Sequence, residues 1–169
     1  WFPEDGAAYP IRVSFMEDEV TIGLDTTGIS LHKRGYRKQT VKAPISETLA
    51  AALLMLTPWK SDRILVDPFC GGGTFPIEAA MIAAGQAPGR MRSFQAQRWK
   101  NVIAPKCWAD AREEADDLLD REIQVDIQGY DLDGQCIQFA RENARLAGVE
   151  SMIHFQQRPV SQLSHSGRY

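Results

Sequence analysis

The stretch with chemistry in it is Val66-Asp67-Pro68-Phe69-Cys70-Gly71-Gly72-Gly73-Thr74-Phe75-Pro76-Ile77-Glu78. The apolar run Ile64-Leu65-Val66 reads as a buried strand. It ends on a carboxylate, turns through three glycines and restarts as a helix over Phe75–Ala84. A second carboxylate stands in Gly129-Tyr130-Asp131-Leu132-Asp133, at the end of another short strand-like run. Strand, glycine loop and helix in that order are how an α/β protein receives a nucleotide-like ligand.

Three ligands compete for such a loop. A P-loop needs Gly-Lys-Ser/Thr so that a lysine reaches the phosphates, and Gly73 is followed by Thr74-Phe75. A dinucleotide site, as in an NAD-type dehydrogenase, wants a third glycine where this chain has Pro76. S-adenosylmethionine fits better on electrostatic grounds. It has no pyrophosphate, and its α-ammonium and sulfonium are cationic, so Asp67 attracts it. The glycines let the backbone come close to its methionyl and ribose parts. Asp131 is placed to accept hydrogen bonds from both ribose hydroxyls, and Leu132 to cover one adenine face. Asp133 reads as a helix N-cap, not a ligand. Singly, Asp67 and Asp131 are ordinary cap or turn residues; jointly, with the glycines between them, they favour a cofactor site. They lie much further apart than the roughly 20 residues usual in dinucleotide folds. Residues 85–122 are therefore expected to be an insertion between the first helix and the second strand.

Other elements must hold these residues in place. Residues 11–25 alternate, with Ile11, Val13 and Phe15 before the acidic turn Glu17-Asp18-Glu19 and Val20, Ile22 and Leu24 after it, which predicts a β-hairpin. Ser46 is expected to cap a helix whose stripe Leu49, Ala52, Leu53 and Leu56 packs into the core, with Thr57-Pro58 ending it. Gln95–Lys100 reads as a helical turn, and Cys107–Glu122 as an exposed, charged helix. Asp126–Asp131 and Met152–Gln156 read as strands. Gly134–Leu146 reads as a helix with Gly148 at its C-terminus.

Ahead of these, Leu31-His32-Lys33-Arg34-Gly35-Tyr36-Arg37-Lys38 sets four cations around one aromatic. As a plain loop this is a solvated surface. As a functional one it contacts phosphate through Lys33, Arg34, Arg37 and Lys38, with a ring to stack on a base.

The bulk of the chain is compatible with this. It has 169 residues, a net charge of −3 and three cysteines (Cys70, Cys107, Cys136) without a C-x-x-C pair. That suits a reducing cytoplasm and offers no zinc or disulfide framework. No apolar run approaches the ~20 residues of a membrane span. The opening Trp1-Phe2-Pro3 has no signal-peptide character and reads as part of a longer protein.

Asp67-Pro68-Phe69-Cys70-Gly71-Gly72-Gly73-Thr74 with Ile77-Glu78-Ala79-Ala80 resembles the cofactor motif of the THUMP-linked class I methyltransferases that modify guanine N2 in RNA. The large-subunit ribosomal RNA enzymes of the RlmL type resemble it most. Residues 31–37, the stretch Ala43-Pro44-Ile45-Ser46-Glu47-Thr48-Leu49-Ala50, the run Pro88–Phe94 with Trp99, and residues 129–133 resemble further segments of that group. The resemblance implies an α/β fold: the N-terminal half of a Rossmann-like class I methyltransferase domain, preceded by the hairpin. It places residues 1–40 as a hairpin and connecting segment from an upstream THUMP region, and 41–169 in the methyltransferase domain. S-adenosyl-L-methionine would be held by Ala43, Pro44, Asp67, Phe69, Cys70, Gly71, Gly73, Asp131 and Leu132, and ribosomal RNA would be the partner.

There are two departures from the family pattern. Pro159 stands where an acid contacting the adenine amine is common, leaving that contact to backbone or to Gln157. The catalytic Asn/Asp-Pro-Pro-aromatic motif, which presents a flipped base to the methyl group, is expected beyond Tyr169, so no catalytic residue is assigned here. Cys70 is read as a small loop residue and not a nucleophile. The rival expectation is a non-catalytic RNA-binding or scaffold module with a degenerate nucleotide-binding fold.

Overall fold

The computed structural model describes residues 5–39 and 44–164. It consists of a two-stranded ribbon and a three-stranded parallel sheet with helices packed against it. The ribbon is formed by β1 (Ile11–Met16) and β2 (Glu19–Leu24), paired antiparallel with Val13 opposite Ile22. The link between them is two residues, Glu17 and Asp18, with φ of 49° and 63°. Positive φ at both positions is the turn whose twist matches a hairpin, and Asp tolerates it better than Glu. The expected hairpin is thus present. Its apolar residues do not enter a core, however: Phe15 is 77% exposed and Ile22 71%.

The ribbon is held at its base. Arg12 pairs with Asp25 at 2.8 Å. Tyr9 stacks on Trp99 with ring centroids 5.0 Å apart, and the buried Trp99 indole donates to the Ala8 carbonyl at 2.8 Å. Gln95 and Ala96 donate their backbone N–H groups to Thr27 and Thr26. Arg92 donates to the carbonyls of Ser30 and Ile29. Residues 92–99, inside the expected insertion, therefore brace the chain at residues 8–30, a role that their loop-like composition does not announce.

The parallel sheet runs in the order β3 (Leu65–Asp67), β4 (Ile127–Asp131), β5 (Ile153–Gln157). Asp67 is level with Gly129, and Asp131 with Gln157. Parallel neighbours need crossovers, and helices supply them. Helix α2 (Thr74–Ala83) follows β3, and α4 (Gly134–Ala147) follows β4. Between them come a 3-10 turn (Gln95–Arg98) and α3 (Pro105–Asp117), inside the predicted insertion. Helix α3 begins at a proline in its first turn, as proline's fixed φ allows, and ends before the predicted Glu122. None of its residues is buried. Helix α4 matches its signals: the Asp133 carboxylate accepts from the Gln135 N–H at 2.8 Å, and Gly148 closes it with φ of 78°.

Helix α2 is the centre of the core, with Ile77, Ala79, Ala80 and Met81 buried against Ile127, Phe155, Ala140 and Ala144. Helix α1 (Glu47–Leu56) packs beside α2 through Glu47, Ala50 and Leu54. The stripe expected to be core points outward: Ala52 is exposed, Leu49 is 50% exposed, Leu53 40% and Leu56 83%. The helix is apolar around most of its circumference, so periodicity alone selects no face. The face is selected by the contact with α2. Ser46 occupies the N-cap position, and its carbonyl accepts from Ala50, but its side chain makes no capping bond. Among the described residues, no helix is long and apolar enough to cross a membrane.

Candidate cofactor site

Strand β3 delivers Asp67 and β4 delivers Asp131 to the same edge of the sheet, because parallel strands end together. The loop between β3 and α2 is drawn over that edge. Its Cys70 N–H donates to the Tyr130 carbonyl at 2.8 Å, continuing the pairing with β4 beyond the end of β3. The Gly71 N–H donates to Asp131 Oδ2 at 2.9 Å, and the Asp133 N–H to Asp131 Oδ1 at 2.9 Å. The Phe69 N–H donates to Asp67 Oδ1 at 3.1 Å. Each carboxylate thus shapes its own loop and keeps further acceptor capacity.

Asp131 sits close enough to act on Asp67. Burial pushes the Asp67 carboxyl above the usual carboxylate range; the Phe69 N–H opposes this, and Asp131 adds to it. Such a site gains from a cation. Burial, then the neighbouring Asp67 and Asp131, also push the Cys70 thiol up. All three disfavour the thiolate form. Phe69 and Leu132 project from the same edge, 72% and 71% exposed. Two large apolar side chains bare to solvent near a polar pair can serve as the rim of a binding site.

The glycines divide their work. Gly71 takes φ of 52° and Gly73 φ of 83°, the left-handed region that glycine enters without a Cβ penalty. Gly73 is also pressed against protein: a Cβ there would lie 2.9 Å from Ala140 Cβ and 3.0 Å from Phe155 Cζ. Its bare face makes room for α4 and β5, which is the role of the fingerprint glycine that Pro76 lacks. Gly129 in β4 does the same, since a Cβ would lie 2.6 Å from the Phe155 ring. Gly129 enters the sequence pattern only as part of the 129–133 motif; a glycine inside a strand is the signal of its close approach.

The cations divide as well. Lys33 and Lys38 are exposed. Arg34 is buried, 3.5 Å from Glu78, and donates to the Leu31 carbonyl. Arg37 lies 3.3 Å from Glu47 and donates to the Ile45 carbonyl and to Thr74 Oγ1, both at 2.8 Å. The expected phosphate role of Arg34 and Arg37 is corrected accordingly: their guanidiniums neutralise buried carboxylates. Tyr36, expected to stack on a base, is 1% exposed and donates to Glu78 at 2.9 Å. The run therefore works mainly as an internal clamp on α1 and α2.

Ala43 lies outside the described residues, and Pro44 is exposed at the start of the segment leading to α1. Gln157 donates its amide to the Leu132 carbonyl at 2.9 Å, which steadies the rim. Arg158 donates its N–H to the Asp131 carbonyl at 2.9 Å, and its guanidinium lies over Tyr130. Among the described residues there is no group of three or more His, Cys, Asp or Glu side chains that would hold a metal ion.

Known proteins share this sequence and fold. The family described as RMKL-like, methyltransferase domain, matches residues 34–169. YpsC of Bacillus subtilis (strain 168), provisionally named an RNA methyltransferase, is 44% identical over 160 residues, covering 95% of this chain and 41% of YpsC. Ribosomal RNA large subunit methyltransferase K/L of Vibrio parahaemolyticus is 40% identical over 157 residues, covering 91% of this chain and 22% of that protein. The chain thus spans less than half the length of these relatives. Two solved structures each match 98% of it and 43% of their own chains. A Listeria monocytogenes protein described as a predicted N6-adenine-specific DNA methylase has a TM-score of 0.93 at 45% identity. SMU.472, provisionally a methyltransferase and solved in complex with SAH, has a TM-score of 0.90 at 41% identity. With its parallel sheet, its glycine loop and two carboxylates at adjacent strand ends, the chain belongs to the RMKL-like methyltransferase domain family.

Proposed function

We propose that this chain is the cofactor-binding part of an enzyme that transfers a methyl group from S-adenosylmethionine to guanine N2 of large-subunit ribosomal RNA. The observation that carries the reading is the pair Asp67 and Asp131, at the ends of adjacent parallel strands with the Gly71 N–H bonded between loop and acid. Asp67 meets the cationic methionyl end, and Asp131 accepts from the ribose hydroxyls. Phe69 and Leu132 flank the adenine. Cys70, Gly71 and Gly73 form the loop floor, and the family resemblance adds Ala43 and Pro44 to the residues that hold the cofactor. SMU.472, solved with SAH, supports the choice of ligand. Lys33 and Lys38 are the exposed cations that would meet phosphate.

When bound, S-adenosylmethionine would supply an electrophilic methyl group for the acceptor amine and leave as S-adenosylhomocysteine. The site's carboxylates hold and orient the donor. Large-subunit RNA as substrate is supported by the name of the Vibrio relative. The acceptor atom rests on the family resemblance.

Two measurements on the full-length protein test this. Calorimetry with S-adenosylmethionine should show saturable binding that Asp131→Ala weakens at least tenfold; unchanged affinity sinks the ribose assignment. Incubation with ribosomal RNA and mass spectrometry of the nucleosides should give N2-methylguanosine. The description of the Listeria protein supplies the competing outcome, a methyl group on adenine N6 in DNA.

A further inference from the structure

Asn143 lies on α4, 1% exposed, and its side-chain amide uses all of its hydrogen-bonding capacity on backbone from two other segments. Its Oδ1 accepts from the N–H groups of Lys38 and Gln39, each at 3.3 Å. Its Nδ2 donates to the carbonyls of Gln39 and Gly72, each at 3.1 Å. Two N–H groups face the oxygen and two carbonyls face the nitrogen, so only one orientation of the amide is satisfied. A second tie runs alongside, from Arg37 Nη2 to Thr74 Oγ1 at 2.8 Å. The segment carrying the exposed Lys33 and Lys38 is thereby joined on both sides of Gly73 to the loop whose neighbour Gly71 bonds Asp131.

We infer that Asn143 is a positioning residue coupling RNA engagement at residues 33–39 to the conformation of the cofactor loop, so that RNA and cofactor each tighten the other's binding. The inference rests on the methyltransferase reading above. Linkage makes the effect reciprocal: whatever factor RNA applies to cofactor affinity, cofactor applies to RNA affinity. Asparagine suits the position because only a side-chain amide offers two acceptor and two donor sites in one plane. An isosteric aspartate would turn an oxygen towards the Gln39 and Gly72 carbonyls and lose both of those hydrogen bonds.

The test is calorimetric titration of the full-length protein with S-adenosylhomocysteine, alone and with a saturating large-subunit ribosomal RNA transcript. Wild type should bind it at least about 5-fold more tightly with RNA. In Asn143→Asp, with native circular dichroism, the ratio should fall towards one. A ratio retained in the variant, even with both affinities weakened, marks a merely structural residue and overturns the inference. Amide hydrogen exchange on wild type gives a check that needs no variant: S-adenosylhomocysteine should slow exchange at Lys38 and Gln39, and unchanged exchange overturns the coupling. Wild type that binds both ligands without mutual effect refutes this inference alone. Wild type that binds neither refutes the methyltransferase reading, and the coupling with it.

Discussion

The Phe155 ring stands between two glycines, and this makes Gly129→Ala the most informative single change. The added Cβ would lie 2.6 Å and 2.7 Å from two ring carbons and 3.3 Å from Cys70 Cβ. The ring is 3% exposed, so it has little free space into which to retreat. The strand must shift or the ring must leave its rotamer, and overpacking of this kind costs about 1–3 kcal/mol. The strain has a functional direction, because Asp131 lies two residues further along the same strand. Urea unfolding of the full-length protein should show the loss as a lower midpoint at unchanged slope. Phe155→Leu removes the clashing ring atoms, itself at a cost of about 1–2 kcal/mol for the cavity. The double variant should therefore be more stable than the sum of the singles by about 1 kcal/mol or more. Stability of Gly129→Ala within about 0.5 kcal/mol of wild type, or strict additivity with Phe155→Leu, would refute the packing argument.

Three further outcomes follow from the site. The Asp67 carboxyl is raised by burial, so the fold favours its protonated form. That stabilisation is fully present below the ordinary value of 3.8 and is lost as pH rises through the folded-state value. Asp67→Asn should thus be more stable than wild type at pH 7, with the gap closing below pH 3.8, while binding S-adenosylmethionine more weakly; thermal melts across pH check the sign, and a less stable variant at pH 7 contradicts it. Arg37→Ala strands the buried Glu47 carboxylate and frees Thr74 Oγ1, so unfolding should show a loss of about 3–5 kcal/mol. A near-neutral result there would mean that Arg37 is not the partner that Glu47 requires. Lys33→Ala with Lys38→Ala should leave the melting temperature unchanged and lower the salt dependence of RNA binding by about one to two units of slope; an unaltered slope removes these lysines from the interface.

Much of the site was legible because its signals are local. A carboxylate after a short apolar run, glycines at left-handed turns and an acid capping a helix act through the backbone within a few residues. The alternation around Glu17-Asp18 marked the hairpin for the same reason. Legibility ended where several placements satisfied the local pattern equally. Helix α1 is apolar on nearly every side, and it was the contact with α2 and the Arg37–Glu47 pair that turned Leu49, Leu53 and Leu56 outward. The cationic run looked uniform in sequence, yet Arg34 and Arg37 met buried carboxylates 44 and 10 residues further along the chain, while Lys33 and Lys38 met water.

By itself the sequence determined the strand–glycine–helix unit and the two acids at strand ends, since each depends on short-range sterics and backbone hydrogen bonding. Only the tertiary structure decided that Gly73 and Gly129 make room for Phe155, that two of the four cations are internal, and that Asn143 bridges Gln39 to Gly72. Those assignments depend on which distant residues come within a few ångströms, and no property of a residue's own neighbourhood in the chain encodes that distance.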